Sequence, residues 1–312
     1  MMESYAYFNG QFVPYSQAKV GIMTHALNYG TACFEGIRAY WSQDHFSIFR
    51  LRDHYKRLGN SARILKMALP HDVDELCRLT TELVAMNPYR EDVYIRPMAY
   101  KRSEVLGVRL HNVEDGFFIF VTPFGAYLDT EKGIACCVSS WKRVDDDMIP
   151  ARAKITGAYI NSALAKTEAV DNGFDEAILL SRDGHVSEGS GENLFLVMNG
   201  RLVTPSVYEN ILVGITRQSI MEIASRELGI ETEERKIDRT ELYIADECFL
   251  TGTAGELAPV LSVDHRPVGS GGIGPISAKL QKLYIQIARG KLEAYHHWCT
   301  FVAPSLVETT SK

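Results

Sequence analysis

The chain lacks the marks of several protein classes. Its six cysteines, Cys33, Cys77, Cys136, Cys137, Cys248 and Cys299, show no Cys-x-x-Cys spacing. Neither a disulfide framework nor a zinc site is therefore expected. His296-His297-Trp298-Cys299 offers two side chains to a metal with no third or fourth nearby, so no metal is expected. The formal net charge is -6 and the Lys and Arg residues are scattered, which argues against a nucleic-acid surface. No apolar run reaches the length of a membrane span. The opening Met-Met-Glu-Ser-Tyr has neither the basic nor the apolar region of a secretory leader, and a cytoplasmic location is expected. A Gly-x-x-x-x-Gly-Lys-Ser/Thr motif is missing, and Gly269 to Pro275 follows no apolar parallel strand. That glycine run reads as a loop.

What is present describes a globular protein. Hydrophobic residues make up 46% and charged residues 23% of 312 positions, enough chain for two domains and a sizeable core. Asn9-Gly10 between aromatic and β-branched residues predicts a hairpin over 5–15. Apolar periodicity predicts helices over 52–65 and 72–86, a third from Gly157 to Asn172-Gly173, and a fourth with Thr216 as N-cap and Gly229 as stop. A long final helix is expected over 276–297. Short apolar runs between them predict strands at 46–49, 93–97, 117–121, 134–138, 176–180 and 194–197. The fold class is thus mixed α/β. The boundaries are a first domain over 1–123, an interdomain loop over 124–134, a second domain over 135–300, and a tail over 301–312.

The chemistry starts at Lys154, a single lysine among Ala153, Ile155, Thr156 and Gly157 at the junction of an extended segment and a helix. A neutral amine in such a setting can form a Schiff base. Downstream stand Glu188 and Glu192 among glycines, Thr216 at a helix start, and Thr253 in a turn of small residues. Tyr159 lies five positions after the lysine, and Arg57 lies on an early helix. A carbonyl-bearing cofactor with a pyridine ring and a phosphate needs a lysine, a carboxylate for the ring nitrogen, phosphate donors and a hydroxyl near its phenolic oxygen. Alternation does not choose between Glu188 and Glu192. Tyr94 and Arg96 share one face of a strand, where they could grip a carboxylate.

Several motifs together resemble the branched-chain amino acid aminotransferases, pyridoxal 5'-phosphate enzymes of fold type IV. They are His25-Ala26-Leu27-Asn28-Tyr29-Gly30, Phe34-Glu35-Gly36-Ile37-Arg38, Tyr94-Ile95-Arg96-Pro97 and Ser139-Ser140-Trp141. Ser187-Glu188-Gly189, Gly191-Glu192-Asn193-Leu194-Phe195, Gly214-Ile215-Thr216-Arg217 and Thr251-Gly252-Thr253-Ala254 complete the set. The resemblance implies a small N-terminal α/β domain and a larger C-terminal pseudo-barrel domain. It implies transamination between leucine, isoleucine or valine and 2-oxoglutarate. Lys154 would hold the cofactor and carry the proton, Glu188 would face the ring nitrogen, and Tyr159 the phenolic oxygen. Arg57, Ile215, Thr216 and Thr253 would hold the phosphate. Tyr94 and the backbone at Thr253-Ala254 would take the substrate α-carboxylate, and Arg96 the distal carboxylate of glutamate.

The same resemblance implies an apolar substrate pocket of Phe34, Phe124, Tyr127 and Tyr159, with Tyr29 and Val108 from a partner subunit of a homodimer or homohexamer. Phe124 stands where many bacterial relatives carry Trp, which implies a wider roof. The Val105 to His111 segment also departs from the usual pattern. These departures leave an amine-selective or broader-specificity class IV transaminase, taking primary amines or aromatic amino acids, as an alternative, with aminodeoxychorismate lyase chemistry further off.

Overall fold

The computed structural model describes residues 3–125 and 128–304. Tyr127, expected to roof the substrate pocket, lies outside the described residues. Two compact units emerge, one of the described residues up to Gly125 together with those from Ile287 onward, the other running to Gln286.

The chain opens with the expected hairpin, β1 (Tyr5–Phe8) and β2 (Gln11–Pro14). Asn9 and Gly10 both take positive φ, 45° and 98°, as a two-residue turn between right-twisted strands requires. A short helix α1 (His25–Tyr29) leads to β3 (Ala32–Phe34), β4 (Ile37–Ser42) and β5 (His45–Phe49). Helices α2 (Leu51–Ile64) and α3 (Val73–Met86) follow, then β6 (Val93–Lys101) and β7 (Asp115–Pro123). Asp72 caps α3 by accepting a hydrogen bond from the Glu75 amide at 2.9 Å. Leu51, Tyr55, Leu58 and Ala62 of α2 and Leu76, Leu79 and Leu83 of α3 join Ile37, Ile48, Ile95 and Ile119 of the sheet in one buried core.

The second unit starts with β8 (Ile134–Lys142), then α4 (Tyr159–Asp171), β9 (Glu176–Leu180) and β10 (Val186–Gly189). It continues through β11 (Asn193–Met198), β12 (Arg201–Pro205), α5 (Ile215–Leu228) and β13 (Thr232–Arg235). β14 (Glu247–Gly252), β15 (Glu256–Val263), β16 (Arg266–Pro267) and α6 (Pro275–Ala288) follow. The last strand is β17 (Cys299–Val302).

Among the described residues, the first unit's sheet runs β17-β5-β4-β6-β7-β1-β2 with β3 on β6. The second unit's sheet runs β10-β9-β8-β15-β14-β11-β12-β13 with β16 on β15. Parallel pairing of β8 with β9 and β15 makes the second sheet mixed. The fold is therefore mixed α/β.

Two expectations change here. The final helix stops at Ala288, not 297, because Gly290 takes a left-handed φ of 69°. The chain then reverses and β17 pairs with β5, Cys299 opposite Phe49. Residues from Ile287 onward thus group with the first unit. Similarly, α5 begins at Ile215 with Gly214 as the extended N-cap, so Thr216 lies inside the first turn and is not the cap.

Candidate active site

In the second unit the lysine segment sits where the sequence put it, just ahead of α4. Ala153 and Ile155 are buried on either side of Lys154. The Lys154 Nζ donates to the Tyr159 hydroxyl at 2.6 Å. Tyr159 is the first residue of α4, so a single 3-10 turn over Thr156–Ala158 sets the spacing between amine and phenol.

Glu188 lies on β10 and is buried. Its Oε1 meets the Arg143 guanidinium at 2.9 Å. Its Oε2 accepts from Asn193 Nδ2 and from the Leu212 amide, each at 3.0 Å. Burial pushes the Glu188 carboxyl upward, opposed by Arg143, the Leu212 N–H, Lys154 and Arg217. Lys154 is thus close enough to be felt by this carboxylate.

Asn193 connects the carboxylate to the helix start. Its Nδ2 also donates to the Leu212 carbonyl at 2.8 Å, and its Oδ1 occupies the space a side chain at position 214 would need. A Cβ on Gly214 would stand 2.0 Å from that oxygen, so the glycine is required by close approach. Gly214 provides no side-chain cap, and the first amides of α5, at Ile215 and Thr216, have the character of an anion site. Thr253 and Ala254 lie in the turn joining β14 to β15 and are half-buried.

The first unit carries the other expected residues. Arg57 on α2 donates from Nε and Nη2 to the two oxygens of Glu35, both at 2.7 Å. The His54 Nδ1 lies 2.8 Å from the same carboxylate. Burial alone would raise the Glu35 carboxyl, but the Arg57 charge and the hydrogen bonds from Arg57 and His54 bring it down to about 2. Arg96 Nη2 donates to the Tyr94 hydroxyl at 2.9 Å. Its guanidinium stands 4.3 Å above the Phe34 ring and 5.0 Å from that of Tyr94. The Tyr94 ring centroid lies 5.0 Å from that of Phe124. A Cβ on Gly36 would come within 2.0 Å of the Tyr94 hydroxyl, so the glycine admits the phenol.

Phe34, Tyr94, Arg96 and Phe124 therefore form one cluster. Tyr29 stands apart from it, its hydroxyl accepting from the Gly107 amide at 3.1 Å. Val108 next to it is 89% exposed. The sequence reading missed Arg143, Glu35 and His54 as partners. Glu35 stood inside a quoted motif, whereas nothing local marks Arg143.

Among the described residues no group of three His, Cys, Asp or Glu side chains could hold a metal ion, and no helix is long and apolar enough to cross a membrane. A lysine hydrogen-bonded to a phenol, a buried carboxylate within its electrostatic reach and a helix start without a side-chain cap thus occur in the second unit. The model of the class IV amino-transferases matches residues 32–263, and the chain belongs to that family. It is 50% identical over 298 residues to the probable branched-chain-amino-acid aminotransferase of Aquifex aeolicus, covering 95% of this chain and 96% of that one. A crystal structure of the branched-chain aminotransferase of Thermoproteus uzoniensis with norvaline is similar at a TM-score of 0.92 and 42% identity, over 96% of this chain and 99% of that one. The branched-chain amino acid aminotransferase of Thermobaculum terrenum in its PLP form gives a TM-score of 0.92 and 38% identity, with the same coverage.

Proposed function

We propose that the protein uses pyridoxal 5'-phosphate to transfer the amino group of leucine, isoleucine or valine to 2-oxoglutarate, giving branched 2-oxo acids and L-glutamate. The observation that carries this reading is the pairing of Lys154 with Tyr159 at 2.6 Å beside the buried Glu188. The donor set fits the cofactor: an amine for its aldehyde, a carboxylate for its ring nitrogen, and helix-start amides for its phosphate. When bound, the cofactor supplies an electron sink for the pair left on the substrate Cα as its proton leaves.

The protein's residues do the rest. Lys154 Nζ would hold the cofactor through its aldehyde and would carry the proton that leaves the substrate Cα. Tyr159 orients that amine and would stand by the cofactor's phenolic oxygen. Glu188 would keep a proton on the ring nitrogen, whose positive charge would offset part of the burial of the carboxylate. Asn193, Arg143 and the Leu212 amide fix its direction. The Ile215 and Thr216 amides and Thr253 are assigned to the phosphate, with Arg57 as a charged contact.

Tyr94 and the Thr253-Ala254 backbone are assigned to the substrate α-carboxylate. Arg96 is assigned to the distal carboxylate of glutamate. Its place over the Phe34 ring puts the charge at the edge of an aromatic wall, which suits a pocket for both leucine-like and glutamate-like side chains. Phe34, Phe124, Tyr127 and Tyr159 are assigned to the apolar pocket, with Tyr29 and Val108 contributed by a second subunit of a homodimer or homohexamer. The six free thiols suit a cytoplasmic setting. The domain assignment is also part of this reading, with the cofactor carried by the second unit.

Absorbance spectra of the holoenzyme with and without leucine test the proposal. Conversion to the pyridoxamine form with leucine, and its reversal by 2-oxoglutarate, are expected. A spectrum indifferent to leucine but responsive to a primary amine would overturn the substrate assignment.

A further inference from the structure

Glu192 is buried and belongs to no assigned role. Three glycines surround its side chain. A Cβ on Gly189 would lie 3.1 Å from its Oε2, one on Gly252 3.4 Å from its Cγ, and one on Gly255 3.6 Å from its Cγ. The last two flank Thr253 and Ala254, so the Glu192 carboxyl packs beneath that turn. Its Oε2 accepts from the Gly191 amide at 3.1 Å.

The titratable groups facing it come from β9, α4, the segment ahead of α4, and β8. Glu176 on β9 is taken up by Lys166 of α4 at 2.8 Å and by the Ala177 amide at 2.7 Å. Lys154, ahead of α4, donates to Tyr159. Cys136 on β8 also feels Glu192, and itself lies near Cys248 on β14. Of the two buried carboxyls, then, Glu176 has a cation in contact and Glu192 has none among the described residues. A buried carboxyl without a paired cation holds its proton. Burial and the Glu176 charge push this one up to about 8, against the Gly191 amide, Lys166 and Lys154.

The geometry points to Glu192 as a neutral carboxylic acid beneath the Gly252–Gly255 turn, a positioning residue that keeps the turn free of opposing charge for an anion. This rests on the assignment of Thr253 and Ala254 to phosphate and carboxylate groups. A carboxylate at the same place would repel both, and a bound anion in turn would help Glu192 keep its proton.

Two measurements test it on full-length holoenzyme. The infrared spectrum of the wild type is expected to show a protonated carboxyl band near neutral pH that disappears by about pH 9.5 and is missing in Glu192→Gln. Absence of that band from the wild type would overturn the proposal without any variant. Affinity for 4-methylpentanoate, a carboxylate that does not titrate in this range, is then followed by absorbance in both proteins. Between about pH 6.5 and about pH 9.5 the wild type is expected to lose about tenfold more affinity than Glu192→Gln, as one buried like charge would cause. Parallel pH profiles would overturn the positioning role even if the band is present. If neither protein binds the carboxylate at any pH, the functional reading of the turn fails and this inference with it, while the infrared band still reports the proton by itself.

Discussion

Arg143 and Glu188 form an ion pair at 2.9 Å in which both side chains are almost wholly buried. The pair holds one carboxylate oxygen while Asn193 and the Leu212 amide hold the other. Burial pushes the Glu188 carboxyl upward, and the Arg143 charge is the foremost influence opposing that, favouring the anion proposed to face a protonated ring nitrogen. Replacing one partner of a buried pair leaves the other uncompensated. Arg143→Met is therefore expected to lower kcat by roughly one to two decades, the loss of a charge-assisted bond of about 1.5–3 kcal/mol. Steady-state kinetics across pH would check it. A change confined to KM, with kcat and its pH profile untouched, would contradict the role given to the pair.

Lys154→Ala is expected to abolish the cofactor adduct trapped by borohydride and the catalysed proton transfer. Peptide mapping after reduction checks this, and an adduct on any other lysine would refute the assignment.

Arg96 touches Tyr94 and stacks on Phe34, and an apolar substrate has no second carboxylate to offer it. Arg96→Met is expected to impair the glutamate half-reaction by about one to two decades in kcat/KM, the worth of a bidentate charge-assisted bond. The leucine half-reaction should change much less. Stopped-flow absorbance of each half-reaction separates the two. Equal losses would move Arg96 to the α-carboxylate or to a purely structural role.

Glu35 gives a stability signature. Its carboxyl is lowered to about 2 in the folded protein, against about 4.3 in an unfolded chain. The stabilisation is thus fully present above the unfolded value and is lost as pH falls from about 4.3 toward about 2. Denaturant unfolding of wild type and Glu35→Gln should show a gap at about pH 6 that narrows below about pH 4. A gap independent of pH would mean that Glu35 matters for packing and not for its charge.

Much of this molecule could be read locally. Asn9-Gly10 names its own turn, Asp72 its own helix cap, and Lys154 stands out because small and apolar neighbours isolate it. The Glu176 to Leu180 strand matches its predicted bounds. What sequence could not give depends on pairing at a distance. Arg143 precedes Glu188 by 45 positions, and only the β8–β9–β10 arrangement brings their ends together. Glu35 sits in the link between β3 and β4 and Arg57 on α2, and their bidentate contact leaves no periodic trace. The end of α6 was missed for a smaller reason: one left-handed glycine outweighs the apolar residues that follow it. Choosing Glu188 over Glu192 also needed resemblance, because the two differ in partners and not in local pattern.

The pairing of β17 with β5 sets an order of events during synthesis. β5 emerges from the ribosome early, whereas the strand that covers its outer edge follows 250 positions later, Cys299 after Phe49. Until then the nascent protein carries a long-lived open strand edge of the kind that recruits other chains. The late strand thus serves as a latch on the early one, and that edge cannot be closed before the ribosome has passed Val302 and let it emerge.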